Sequence, residues 1–322
     1  MRILSRAPGS RHLTPPTATL PEQDERHAPA WAAALGDQYP FDSHFMEVEA
    51  GRMHYADEGP AEAAPMLCVH GNPSWSFLFR RQLQGFAGEM RVIAPDHLGC
   101  GLSDQPERWS YRLADHVQNL VRLIDHLDLW NVTLLVHDWG GAIGLGAAIQ
   151  RPERIGRLVI TNTAAFPSNL MPGRIGLCRV PGIGRLAVQG FNAFARAATF
   201  MAVERPMPRA VRRAFVQPYA RPRSARATWH FVDDIPMDAR HPSWETLTAI
   251  AAGLAVFQDR ANLILWGEKD WCFTPAFREE WERRLPGAEC HPIPDAGHYL
   301  FEDAPQDIER HLRAFLKAED VL

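Results

Sequence analysis

Cysteine is scarce in this chain and shows no pattern. The five present, Cys68, Cys100, Cys178, Cys272 and Cys290, are odd in number and scattered, with neither a CxxC pair nor a metal-ligand spacing. A disulfide framework and a thiolate metal site are thereby excluded, and a reducing compartment fits. No run of about 18 apolar residues exists to span a membrane. The net charge of −4 is too small to argue for nucleic acid as a partner. The N-terminus opens with Arg2 but lacks the apolar stretch of an export signal, so the cytoplasm is the expected location. Nothing in the sequence calls for a metal or a cofactor.

What remains is a chain of 322 residues with 46% hydrophobic content, enough for one large α/β domain with an inserted subdomain. Residues 1–40, rich in Pro, Thr, Arg and Ala as in Pro15-Pro16-Thr17-Ala18-Thr19, are expected to form a flexible leader, mostly disordered or loosely docked, without a catalytic part. From Ser43 the pattern becomes regular. A hairpin near Phe45–Val48 and Met53–Tyr55 precedes apolar strands at Met66–Val69, Arg91–Ala94, Val132–His137, Arg157–Thr161, Asn262–Trp266 and Glu289–Ile293. Helical spacing separates them, as in Leu113, Val117, Leu120, Val121 and Ile124. Such alternation predicts a mostly parallel sheet with helices on both faces and ligands bound beyond the carboxyl ends of the strands. Core segments are expected at 41–163 and 253–322, with a helical cap inserted over 164–252.

The chain is organised around Val132-Thr133-Leu134-Leu135-Val136-His137-Asp138-Trp139-Gly140-Gly141. An apolar β-branched run stops at a carboxylate and paired glycines follow, the pattern of a nucleophile elbow with aspartate where serine usually stands. A carboxylate is ionised at neutral pH and displaces a leaving group from saturated carbon, giving an alkyl ester. By itself Asp138 also reads as the N-cap of the following helix. Two further residues favour catalysis. The chain order nucleophile, acid, histidine is obeyed by Asp138, Asp270 and His298, with the histidine in a loop after the last strand. The alternative acid position, at the end of the strand before the insertion, holds Asn162, which cannot ionise. Charge on a departing group needs donors, and the Asn72 amide and the Trp139 indole N–H stand beside the expected anion site.

His70-Gly71-Asn72-Pro73, His137-Asp138-Trp139-Gly140-Gly141 and Asp295-Ala296-Gly297-His298 resemble the haloalkane-dehalogenase branch of the α/β-hydrolase fold, from about residue 41 onward. The Asp-His-Asp triad with an Asn-Trp pair looks like the third subfamily of that branch. Epoxide hydrolases share the elbow but typically carry Phe at the place of Asn72 and use two cap tyrosines, whereas this insertion holds only Tyr219. Within the branch, Asn162-Thr163-Ala164-Ala165-Phe166-Pro167, Phe191-Asn192-Ala193-Phe194, Val203-Glu204-Arg205-Pro206-Met207-Pro208, Val211-Arg212-Arg213-Ala214 and Asp234-Ile235-Pro236 resemble the β-lactone decarboxylases of bacterial long-chain olefin biosynthesis. That resemblance implies a hydrophobic substrate, a cis-3,4-dialkyl β-lactone, converted to a cis-alkene and carbon dioxide. Hydrolysis of a carbon–halogen bond through an alkyl-Asp ester is the second expectation. A third, from another class, is an idle hydrolase fold serving as a receptor or scaffold.

The insertion is unusually basic. It holds 12 arginines, no lysine and five acidic residues, a formal +7 that leaves −11 for the rest of the chain. One reading is a solvated face whose arginine stems cover apolar surface. The other is a docking surface, either for neighbouring pathway enzymes or for an anionic membrane contacted peripherally.

Overall fold

The computed structural model describes residues 28–170, 172–179, 183–190, 192–221 and 224–322. Its strands are β1 His44–Val48, β2 Gly51–Glu58, β3 Pro65–Val69, β4 Arg91–Pro95, β5 Val132–Asp138, β6 Ile155–Thr163, β7 Ala261–Gly267 and β8 Glu289–Ile293. They form one sheet in the order β1-β2-β4-β3-β5-β6-β7-β8. Only the β1–β2 and β2–β4 pairings are antiparallel; from β4 to β8 every neighbour runs parallel. This is the α/β-hydrolase fold. β5 lies between β3 and β6, and all of its residues are buried, so it reads as a continuous apolar run rather than an alternating one.

The helices are α1 Arg80–Phe86, α2 Leu113–His126, α3 Trp139–Gln150, α4 Gly173–Cys178, α5 Ile183–Arg185, α6 Ala193–Met201, α7 Arg209–Val216, α8 Arg226–Asp233, α9 Trp244–Gly253, α10 Pro275–Arg284, α11 Leu300–Asp303 and α12 Pro305–Ala318. Alternate strand residues serve the two faces. Val69, Val136, Ile160 and Ile264 pack with Leu120 and Ile124 of α2 and Ile143 of α3. Cys68, Leu135, Val159 and Leu265 pack with Leu83 of α1 and Ile308 and Leu312 of α12. Covering a parallel sheet on both faces in this way leaves its carboxyl edge as the place for a site.

The structure sharpens one expectation about the chain's organisation and adjusts another. The leader expected over 1–40 lies outside the described residues as far as residue 27, but residues 28–40 are docked. A 3₁₀ helix runs over Ala32–Gln38, Leu35 and Tyr39 are buried, Trp31 meets Trp75 edge-on, and the Tyr39 hydroxyl lies 2.5 Å from Ser76 Oγ. Aromatic burial outweighs the Pro- and Ala-rich composition there. At the other boundary, α9 starts inside the predicted insertion and runs to Gly253, yet it packs on the core. Leu247, Ile250 and Leu254 recur at helical spacing and are buried, and Ile250 reaches Gly146 of α3. The cap therefore ends before Trp244.

Among the described residues no helix is long and apolar enough to cross a membrane.

Candidate active site

Asp138 ends β5 with φ 53° and ψ −129°, a left-handed conformation unfavourable for a non-glycine residue by about 1–3 kcal/mol. Its surroundings enforce it. The Thr163 hydroxyl donates to the Asp138 carbonyl, and the Asn72 backbone N–H donates to Asp138 Oδ1 at 2.5 Å. The turn tolerates no bulk nearby: a Cβ on Gly71 would collide with the Asp138 carboxylate, and one on Gly140 would collide with the Val69 carbonyl. These glycines let the loop after β3 and the start of α3 close on the elbow.

The other members arrive from neighbouring strand ends. Asp270 follows β7 and His298 follows β8. His298 Nδ1 lies 2.8 Å from Asp270 Oδ2, and its Nε2 lies 3.6 Å from Asp138 Oδ2. All three side chains are buried. The structure thus brings the three predicted residues into one line, with the imidazole between two carboxylates. Asp270 Oδ1 accepts the Cys272 backbone N–H at 2.6 Å. Asn162, considered at the sequence level only as a failed acid, donates to Asp270 Oδ2 at 2.9 Å and to the Gly267 carbonyl at 3.1 Å, and accepts the Gly267 N–H at 2.8 Å. It clamps the acid. Phe273 stacks on His298 at 5.8 Å between ring centres, a second contact that sequence reasoning missed.

Burial is the largest influence on Asp138 and raises its pKa above the usual carboxylate range, against the opposing pull of His298 and the N–H groups of Trp139 and Asn72. Burial also works against a charged His298, yet the Asp270 and Asp138 carboxylates outweigh it and hold the imidazolium to higher pH than free histidine. An attacking carboxylate must be ionised. Turnover should therefore fall on the acid side at a pH above that of free aspartate, which a pH profile of kcat measures; an acid limb at the free-aspartate position would refute the assignment.

Asn72 follows β3, and its Nδ2 donates to the Thr228 carbonyl of α8 at 3.2 Å, leaving its second N–H without a partner among the described residues. The Trp139 indole N–H makes no hydrogen bond among the described residues, and its ring rests on Phe231 at 5.3 Å. Both residues line the same cavity as Asp138 and His298. Two donors without partners beside a carboxylate make a place where an anion can be received.

That cavity, about 320 Å³, lies between the sheet's carboxyl edge and the cap. Its walls are apolar, with Phe277 from the core and Phe166, Val188, Phe194 and Ile235 from the cap. No tyrosine lines it. Tyr219, the cap tyrosine, is buried elsewhere and donates to the Ser74 carbonyl at 3.2 Å, so the paired phenols of an epoxide hydrolase have no counterpart here. Among the described residues no cluster of histidine, cysteine and carboxylate side chains is arranged to hold a metal ion.

Comparison with known proteins agrees with this geometry. Residues 64–305 match the family model described as the alpha/beta hydrolase fold. The chain is 39% identical to a cis-3-alkyl-4-alkyloxetan-2-one decarboxylase of Shewanella oneidensis, covering 88% of this chain and 91% of that one. It is 40% identical to the decarboxylase of the same name from Xanthomonas campestris pv. campestris, covering 87% and 97%. Among solved structures, the haloalkane dehalogenase DatA of Agrobacterium tumefaciens superposes with a TM-score of 0.79 at 26% identity, covering 89% of this chain and 99% of that one. The chain belongs to the α/β-hydrolase fold family, in the branch that contains the haloalkane dehalogenases and the cis-3-alkyl-4-alkyloxetan-2-one decarboxylases.

Proposed function

We propose that this protein is a β-lactone decarboxylase, converting a cis-3,4-dialkyl β-lactone to a cis-alkene and carbon dioxide. The observation that carries the reading is identity of 39% and 40%, over 88% and 87% of the chain, to two proteins of that activity, against 31% and 32% over 84% of it to haloalkane dehalogenases of Mycobacterium tuberculosis and Mycobacterium marinum. The site supplies a chemical route. One Asp138 oxygen forms a bond to the alkyl carbon C4 of the ring while the C4–O bond breaks. The freed carboxylate meets the Asn72 and Trp139 N–H groups. The bond from C3 to that carboxylate then breaks and releases carbon dioxide. Its electron pair becomes the C3=C4 double bond as C4 releases the Asp138 carboxylate.

The stereochemistry closes. Attack inverts C4, and departure of carbon dioxide and Asp138 from opposite faces gives a net loss on one face, so a cis lactone yields a cis alkene. No water enters. The imidazolium form of His298, which its two carboxylates favour against burial, would balance the negative charge that moves between Asp138 and the leaving carboxylate. An apolar cavity suits a substrate with two alkyl chains.

The same triad suits a hydrolytic dehalogenase, in which neutral His298 would activate water against the alkyl ester. Supplying purified protein with a dialkyl β-lactone and, separately, a bromoalkane distinguishes the two. The expected result is cis-alkene and carbon dioxide from the lactone with bromide release slower by orders of magnitude. Bromide release at ordinary enzymatic rates with the lactone untouched would overturn the decarboxylase reading, and a 3-hydroxy acid product would point to a lactonase.

A further inference from the structure

The cap has a surface that the chemistry does not use. Seven large apolar side chains stand exposed among the described residues, and five of them, Leu170, Leu177, Leu186, Phe200 and Met201, fall between residues 170 and 201. Isolated exposed apolar residues are ordinary, but a concentration in one segment is not. Leu170 and Met201 are 56% and 40% exposed and also line the catalytic cavity, so they form its rim. Leu177, Leu186 and Phe200 stand outside it, on adjoining elements whose neighbouring residues Cys178, Ala187 and Ala197 line the cavity wall. The apolar interior is therefore continuous with an apolar outer surface.

Beside this rim lies α7, a basic amphipathic helix. Ala214 and Phe215 are buried, while Arg209 and Arg213 are exposed and without a carboxylate partner among the described residues. Arg212 lies over the Phe200 ring at 4.5 Å, which joins the two features. The exposed Arg196 of α6 is likewise without such a partner among the described residues. Apolar side chains flanked by arginines, with no lysine in the cap, are the chemistry of a helix face that enters the boundary of an anionic bilayer.

We propose that the cap docks this protein on an anionic lipid bilayer, with Leu177, Leu186 and Phe200 entering the interface, the α7 arginines on the headgroups, and the cavity mouth facing the acyl layer. The docking surface is argued from the cap alone; that its passenger is a dialkyl lactone or alkene rests on the reading above. A product with two long chains would then leave into hydrocarbon rather than water.

The test is flotation of the full chain with vesicles of phosphatidylcholine and phosphatidylglycerol in equal amounts, or of phosphatidylcholine alone. Flotation with the anionic vesicles is expected, weakened by salt, and reduced about tenfold or more both in Arg209→Glu/Arg212→Glu/Arg213→Glu and in Leu177→Ser/Leu186→Ser/Phe200→Ser. Thermal melting shows that each variant is folded, and turnover of detergent-dispersed lactone should stay unchanged. Failure of the wild type to float, equal flotation on the neutral vesicles, or undiminished flotation of either folded variant overturns the proposal. So does a wild type that ignores vesicles and instead binds an acidic protein through α7. Flotation requires no turnover, so it stands or fails apart from the decarboxylase reading.

Discussion

Asp138→Asn should lose turnover of the β-lactone by about 10⁴-fold or more while the protein stays folded. The expected loss is large because the amide is a feeble nucleophile toward saturated carbon and nothing nearby substitutes for it. The second carboxylate, Asp270, is separated from the elbow by the imidazole, with both of its oxygens engaged by His298, Asn162 and the Cys272 N–H. Substrate binding should change little, since the cavity's apolar walls are untouched. The measurement is kcat and KM on the lactone beside a thermal melt; near-normal kcat in a folded variant would end the nucleophile assignment.

Stability argues the same way and separates this substitution from an ordinary core lesion. Asparagine tolerates positive φ better than most residues, and its carbonyl oxygen can still accept the Asn72 N–H. Burial raises the pKa of Asp138 in the folded chain, so the folded state binds its proton more tightly than the unfolded one. Stability from this group is therefore highest at low pH and is lost as pH rises through the folded pKa. Removing the charge removes that penalty. At neutral pH the melting temperature of the variant should match or exceed that of the wild type, offset by what His298 loses as its second anionic partner goes. Asp138→Ala, by contrast, leaves the strained backbone without its side-chain bond and should be less stable.

The contrast between what was legible in the sequence and what was not follows from the range of each interaction. β5 and the elbow announce themselves locally, because a two-sided buried strand ending in Asp-Trp-Gly-Gly leaves few alternatives. Asp270 and His298 were reachable through chain order, which the fold's winding imposes. Asn72 and Trp139 were reachable through chemistry, as donors placed next to the expected anion. Asn162 was seen in the right place but only as an acid that failed; its clamp on Asp270 spans 108 residues and depends on the adjacent ends of β6 and β7. Thr228 gave no signal at all, since the group that holds Asn72 is a backbone carbonyl, which every residue carries. How far segment 28–40 docks and that α9 packs on the core were not legible for a related reason: composition and periodicity describe a segment, whereas burial depends on which surface it finds.

Trp139→Phe should lower kcat on the lactone by about 10²–10³-fold with a small change in KM. Phenylalanine keeps the aromatic contact with Phe231 and removes the indole N–H, which has no partner among the described residues, so the variant isolates a donor rather than a wall. The leaving carboxylate carries full charge only after the ring has opened, and a donor aimed at it acts on the transition state more than on bound substrate. Asn72 cannot make up the loss, because the Thr228 carbonyl already holds one of its two N–H bonds. Replacing Asn72 with alanine should cost a similar factor, and the double variant less than the product of the two, since both serve one anion. A strictly multiplicative result, or a KM effect that exceeds the kcat effect, would show that the pair shapes the cavity and does not receive the departing charge.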